Sequence, residues 1–340
     1  MELRYLNAKD KSAWNSLVSA SVHSGFMQSW EWSEFKESSG QKVFRLGLVH
    51  QHELVGGAIV YGVASSLGTS PLIVPQGPVL PWGDPVVTRE ALGILFQEFR
   101  GIAREFGFPV LRVEPALPVD VMRDFFPEAQ RAPIDLVPTP SLVVDIGRPD
   151  QDILAGMKPK GRYNIRLAAK QGVETVWGVS PDLLEEFYGL FELTCIRHRF
   201  IGESLEFFQG LVRHLAPGRM VRIYLSRYRG VATSAAVMVF YGRTATYLYG
   251  GSLPFFRHAM SSYGLHWAAM RDAREQGCRD YDLYGIAPDD NPFHPYARFT
   301  AFKKRFGGRS TVSAGAQDTF FYEQLSDLWL QQMDAVLLKK

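Results

Sequence analysis

The sharpest pattern in the chain lies between Asp280 and Gly308. In DYDLYG, alternation puts Tyr281 and Leu283 on one face and Asp282 and Tyr284 on the other, the period of a strand, until Gly285 breaks the run. A polar loop follows, with Asp289, Asp290, Asn291, Pro292 and Pro295, residues that favour exposed turns. Phe299, Phe302 and Phe306 then recur at i, i+3 and i+7. That spacing predicts a short helix with one apolar stripe, and spreads Lys303, Lys304 and Arg305 around its solvated remainder as exposed charges. Gly307 and Gly308 end it.

The same reading from the N-terminus predicts a strand near Leu3–Leu6 and helices at about Lys9–Ala20 and Gln28–Ser38. Strands Val43–Val49 and Leu54–Val63, joined by the polar turn His50–Glu53, form a hairpin. The proline-rich passage SPLIVPQGPVLPWGDP reads as a loop, packed on the sheet or lining a ligand cleft. A helix at Thr88–Phe106 and a strand at Val110–Val113 complete a unit. After a strand at Leu142–Val144, IGRPDQDILAG interrupts the pattern, so a boundary is expected near Gly147–Gly156, dividing the chain into 1–150 and 151–340. Beyond it come a basic helix from Gly161 with Ile165, Ala168 and Ala169 on one side, and a long amphipathic helix at Leu183–Phe200. A strand at Thr246–Tyr249 and a helix at Ser262–Gln276 follow.

The halves share a plan. AREFG at Ala103–Gly107 precedes the strand PVLRVEP, and AREQG at Ala273–Gly277 precedes CRDYDLYG, 170 residues later. The hairpin LVHQHELVGG at Leu48–Gly57 has its counterpart in LSRYRGVATS at Leu225–Ser234, an offset of 177. Two matches at similar offsets and equivalent places predict a duplication. The element order predicts an α/β (α+β) protein of two tandem units of the acyltransferase fold called GNAT, with a ligand cleft between or beside them.

Composition refines this picture in three ways. With 46% hydrophobic and 21% charged residues the chain is globular, not disordered. It contains no run of about 18 apolar residues, and MELRYLNAKDKSAW has no signal-peptide core, so a cytoplasmic location is expected. Residues 1–150 carry 13 Lys+Arg against 17 Asp+Glu, and 151–340 carry 24 against 18, about −4 and +6, so the second half is the anion binder. Within it MKPKGRYNIRLAAKQGVE presents Lys158, Lys160, Arg162, Arg166 and Lys170 as a dense cationic face. Cys195 and Cys278 have no metal-ligand spacing and read as buried apolar residues; no metal is expected. Users of acyl-coenzyme A carry a Gln/Arg-x-x-Gly-x-Gly/Ala loop for the pyrophosphate, and Arg257-His-Ala-Met-Ser-Ser supplies neither glycine, which disfavours that cofactor.

Six stretches together resemble the Fem family of tRNA-dependent aminoacyl transferases, which build the interpeptide bridge of bacterial peptidoglycan. They are Gln28-x-Trp30-x-Trp32-x-x-x-Lys36, Lys160-x-Arg162-x-Asn164-Ile165-x-x-Ala168-x-Lys170-x-Gly172-Val173, Thr194-x-x-Arg197-x-x-Phe200, Tyr247-Leu-x-Gly250-x-Ser252, Tyr281-Asp282-x-x-Gly285-Ile286, and Phe302-Lys303-x-x-Phe306-Gly307. The likeness implies the tandem fold without a cofactor, an aminoacyl-tRNA donor, and a muropeptide acceptor, UDP-linked or lipid-linked. The long charged helical hairpin of larger members is missing, so no coiled-coil arm is expected. By resemblance Lys303 is the catalytic cation, and Lys36 and Arg197 hold the acceptor's diphosphate. Trp32, Tyr249 and Tyr284 suit the same substrate site, and the basic helix suits tRNA phosphates. A monomer in peripheral contact with the inner face of the membrane fits such a task. Two other classes share parts of this pattern: a GNAT-fold N-acyltransferase of polysaccharide or natural-product assembly with another donor, and a non-catalytic RNA-binding protein.

Overall fold

The computed structural model describes residues 1–62, 70–289, 291, 294 and 296–322. The chain packs as two units, Pro140–Thr311 forming one, and Met1–Thr139 with the segment from Val312 forming the other.

In the first unit β1 (Glu2–Tyr5) is followed by α1 (Lys11–Ala20), α2 (Trp30–Ser38) and the hairpin β2 (Lys42–His50) and β3 (Glu53–Gly62). The hairpin turns on Gln51 and His52, both at positive φ (49° and 69°), the two-residue geometry whose twist matches that of the strands. β4 (Leu72–Pro75) runs parallel to β5 (Val110–Glu114), and parallel neighbours need a crossover, here α3 (Pro85–Phe106). Asp84 caps the amides of Val86 and Val87 at the start of α3; Leu95, Phe99 and Ile102 face the core, and Gly107 ends it at φ 76°. The proline-rich passage, expected as loop throughout, therefore contains an inner strand. α4 (Val119–Phe125) and β6 (Gln130–Arg131) follow.

The second unit runs β7 (Ser141–Asp145), α5 (Asp150–Gly156), α6 (Pro159–Lys170), β8 (Glu174–Gly178), α7 (Pro181–His198), α8 (Leu205–Leu215), β9 (Val221–Tyr228), β10 (Val231–Tyr241), β11 (Thr244–Ser252), α9 (Ser261–Glu275), β12 (Asp280–Gly285), α10 (Ala297–Lys303) and β13 (Arg309–Thr311). It repeats the plan of the first. The β9–β10 turn uses Arg229 and Gly230, again both at positive φ (52° and 77°), and β11 lies parallel to β12 across the crossover helix α9, beyond which Gly277 sits at φ 88°. The sheet orders correspond position for position: β1-β2-β3-β4-β5, then the strand Gln317–Phe320, then β6; and β8-β9-β10-β11-β12-β7-β13.

This correspondence explains where the units divide. The expected boundary at 150 follows the strand at Leu142–Val144, but that strand pairs with β12 (Tyr281 opposite Val144) and with β13 in the second sheet. The strand Gln317–Phe320 in turn leaves the second half of the sequence and joins β5 (Asp318 opposite Arg112). Periodicity identifies a strand but not its partner, so packing sets the division at 139/140 and 311/312. Among the described residues no helix is long and apolar enough to cross a membrane.

The returning strand is fastened by a buried ion pair. Arg112 Nε and Nη2 donate to Asp318 Oδ1 and Oδ2, each at 2.7 Å. Removing one partner strands a buried charge, so Asp318→Ala is expected to cost about 3–5 kcal/mol in urea denaturation. A loss below about 1 kcal/mol, the range of exposed pairs, would show that the strand is held by its backbone alone.

Candidate functional site

Lys303 is the last residue of α10, and the chain continues as a 3-10 turn, Lys304–Phe306. The buried positions are Thr300, Lys303 and Phe306, three apart, with Phe299 and Phe302 only half-buried beside them. Lys303 therefore does not belong to the solvated circumference: it is 8% exposed. Thr300 and Lys303 are i, i+3 neighbours on one face of α10, and the tighter turn that follows brings Phe306 into line with them.

The corner that receives the lysine is built by β12. Ser141 Oγ donates to Asp282 Oδ1, which also accepts from Tyr284 N at 2.7 Å. Tyr284 takes the left-handed conformation (φ 65°), rare for a residue with a side chain, and the Gly285 carbonyl accepts from Lys303 Nζ at 2.6 Å. Thr300 Oγ1 accepts from Ala287 N at 2.7 Å and ties α10 to the same corner. Around the ammonium stand aromatic rings: Tyr247, whose centroid is 5.9 Å from Nζ, and His266, edge-on to Tyr247 at 4.6 Å and in contact with Phe302 and Phe306.

Burial governs the electrostatics. It pushes the Lys303 ammonium down to about 8, opposed by the Asp282 carboxylate. Asp282 is itself pushed up by burial. His266 is pushed down to about 3, by burial first and by Lys303 second, and so is neutral; its Nδ1 lies 2.8 Å from Tyr281 Oη. Burial pushes the Tyr247 hydroxyl up to about 12. The site thus holds a weakened ammonium on a rigid footing, a group able both to stabilise a developing oxyanion and to give up a proton near neutral pH.

Arg197 lies in the last turn of α7. Its Nη1 donates to Ser252 O at 2.6 Å, and Nη2 to Ser252 Oγ at 3.2 Å and Thr194 Oγ1 at 3.3 Å. Burial and Arg257 depress its pKa. The adjacent His198 packs on Phe299 of α10 at 5.1 Å, so the end of α7 meets the helix of Lys303. Tyr249 is walled by Phe191, Phe207 and Phe208 at 5.8, 5.9 and 5.0 Å. Lys36 and Trp32 belong to the first unit. There the Lys36 ammonium lies 5.0 Å from the Trp32 ring, 5.3 Å from Phe35 and 5.5 Å from Tyr61, a cation–π cluster on the shared helix face.

The basic segment divides by role. Lys158 and Lys160 line a cavity of about 920 Å³ together with Arg298, Lys304, Arg305, Asp289 and Asn291. Arg166 and Lys170 lie on the exposed outer side of α6, and Arg162 turns back to the Met157 carbonyl. Ala169, expected beside Ile165 and Ala168 on the packed side, is exposed. Gly161 sits where a Cβ would come 2.2 Å from Arg305 O, so only glycine lets α6 approach the turn after Lys303 this closely. Asp290, Pro292 and Pro295 lie outside the described residues.

Sequence reasoning missed His266, Ser141 and Arg298. His266 shares the buried side of α9 with Tyr263, Met270 and Ala273, so a polar side chain in an apolar stripe was its one signal. Ser141 and Arg298 gave none.

The sequence profile of the FemAB family matches residues 135–226 and 223–317, just over half of the chain. A lipid II:glycine glycyltransferase of Staphylococcus saprophyticus is 21% identical, over 92% of this chain and 92% of the relative. A Staphylococcus aureus protein of the same name is 19% identical, over 96% and 94%. Among solved structures, a crystal structure of FemX superposes with a TM-score of 0.86 at 18% identity, covering 96% of this chain and 99% of that one. A tandem GNAT protein of the clavulanic acid pathway superposes at 0.57 and 14% identity, over 94% and 98%. These likenesses establish the tandem GNAT-like fold.

The depressed Lys303 ammonium makes stability depend on pH. Between about 8 and the ordinary 10.5 the unfolded chain holds this proton and the folded chain does not, so the group's contribution to stability rises with pH. The unfolding free energy of the wild type minus that of Lys303→Met, from urea titrations across this range, should therefore increase. A flat difference would mean that the lysine is solvated.

Proposed function

The chain belongs to the FemAB family, and on that premise we propose that it moves an amino acid from aminoacyl-tRNA to an amine of a lipid-linked muropeptide. Glycine is the residue named for the staphylococcal relatives. The observation that carries the reading is Lys303, an ammonium fixed to the Gly285 carbonyl and made more acidic by burial.

In the reaction the acceptor amine attacks the ester carbonyl that joins the amino acid to the terminal ribose. The carbonyl oxygen gains negative charge, which the Lys303 ammonium stabilises. Collapse breaks the ester C–O bond; the ribose oxygen leaves with a proton, and the former amine loses one as the amide forms. Lys303 can supply the first of these protons, since burial lowers its pKa to about 8. In the second unit Arg197 binds phosphate of the acceptor, with Tyr249 and Tyr284 as further acceptor contacts; in the first unit Lys36, over the Trp32 ring, is a phosphate contact in its own right. The cavity lined by Lys158, Lys160, Arg298, Lys304 and Arg305 takes phosphates of the donor's terminal strand, with Arg166 and Lys170 as outer contacts. At the start of α9, Ser261 Oγ accepts from Thr233 Oγ1 at 2.8 Å and Ser262 Oγ lies 3.0 Å from Ser234 Oγ. These contacts tie the first residues of α9 to β10. The work is done at the cytoplasmic face of the membrane.

Incubation with a charged tRNA mixture and with lipid-linked and UDP-linked muropeptides, followed by weighing the products, tests the reading. One aminoacyl residue should be added, only with intact tRNA and preferentially to the lipid-linked acceptor. Lys303→Ala should lower kcat roughly 10²–10³-fold with little change in KM, the cost of losing charge stabilisation confined to the transition state. Lys304→Ala should lose far less. Transfer without tRNA would point to another donor, and equal losses at the two lysines would leave Lys303 as one phosphate contact among several.

A further inference from the structure

We propose that the second unit carries a membrane-docking surface, formed by the end of α7 and the loop Leu253–His258, that seats it on an anionic phospholipid bilayer. Large apolar side chains are held out into solvent there: Ile201 is 94% exposed, Phe255 73% and Ile196 70%. An exposed apolar cluster on a globular protein marks an interaction site.

The two segments form one surface. Arg197 bridges from α7 to Ser252, Ser252 N donates back to Thr194 Oγ1 at 3.0 Å, and Leu253 N donates to Thr233 O at 3.0 Å, which fixes the root of the loop. Phe256 and Met260 adopt the left-handed conformation (φ 60° and 55°), and the rings of Phe256 and His258 pack on Tyr228 at 5.7 and 5.5 Å. On the other side, Gly202 lies so close to Cys195 that a Cβ would come 2.5 Å from its Sγ. Both apolar tips are thus presented by ordered backbone rather than left loose.

Charge decides between occupants. Arg199, Arg229 and Arg257 are exposed around the tips. Arg257 lies close enough to Arg197 and His198 to depress both, and the Arg229 guanidinium sits 5.2 Å over the Tyr228 ring. The exposed acids beside them are Glu192, close to Cys195, and Glu203, hydrogen-bonded to Tyr249, so arginines outnumber carboxylates around the tips. Separate apolar tips rimmed by arginines suit insertion between anionic headgroups, where the side chains sink to the acyl boundary and the guanidiniums stay at phosphate depth.

This surface deepens the proposed function and rests on it in one respect: Arg197, assigned to the acceptor's diphosphate, joins the two segments. A lipid-linked diphosphate lies at headgroup depth, so a protein docked by these tips would present Arg197 at the level of its ligand. The docking itself requires no assumption about the reaction.

The test uses the full chain and vesicles without acceptor. Wild type should sediment with vesicles of phosphatidylcholine and phosphatidylglycerol, more weakly with phosphatidylcholine alone, and more weakly as salt is raised. The double variant Ile201→Ser, Phe255→Ser should partition about tenfold or more less, as expected for withdrawing two large apolar side chains, with an unchanged melting temperature. It should still turn over a soluble UDP-linked acceptor but lose turnover of the lipid-linked one. Equal partitioning of variant and wild type, or no sedimentation of the wild type, would overturn the surface, and equal binding to neutral vesicles would overturn the role of the arginines. Vesicle binding that depends on Ile201 and Phe255 without transfer to either acceptor would leave the surface standing and remove the acceptor reading. Transfer without vesicle binding would do the reverse.

Discussion

Placing the Lys303 ammonium almost out of water is the constraint from which the rest of the second unit follows. Burying a charge costs several kcal/mol unless polar groups receive it. Here the Gly285 carbonyl and the Asp282 carboxylate do so, and each must be held in place. Ser141 and the amide of Tyr284 anchor the carboxylate, Tyr284 accepts a strained backbone so that the Gly285 carbonyl is available to the lysine, and Thr300 locks the helix to the same corner. The neutral His266 completes the environment, since a charged imidazole there would stand against the ammonium.

The strand that supplies Ser141 also explains the architecture. β7 lies in the sheet of the second unit, next to β12, while the strand Gln317–Phe320 fills the equivalent place beside β5 in the first. The lysine's corner is therefore assembled from two regions distant in sequence, β7 and the stretch from β12 to α10, and the crossing of the chain is secured by Arg112 and Asp318 in the buried interior of the other unit.

Much of this was legible in the residues. Both hairpins, both crossover helices and the duplication follow from local periodicity and turn residues, which act over a few positions. The shared face of Trp32 and Lys36 follows from helical spacing and is a cation–π contact. What escaped depends on pairing across the fold. The partner of the strand at Leu142–Val144, the burial of Lys303 and the recruitment of Arg298 to the basic cavity all arise from segments that meet only after folding. The burial of Lys303 is the most consequential of these, because packing against the Gly285 corner turns a lysine counted among the exposed charges into the buried centre of the site.

The central claim is that Lys303 works as a protonated, partly desolvated group. The dependence of kcat on pH tests it most directly, with saturating donor and acceptor and a correction for spontaneous hydrolysis of the ester. The account predicts a descending limb with an apparent pKa near the depressed value of about 8, because the ammonium is lost there. A kcat that keeps rising through about pH 10, as it would if only the acceptor amine had to lose its proton, would contradict it.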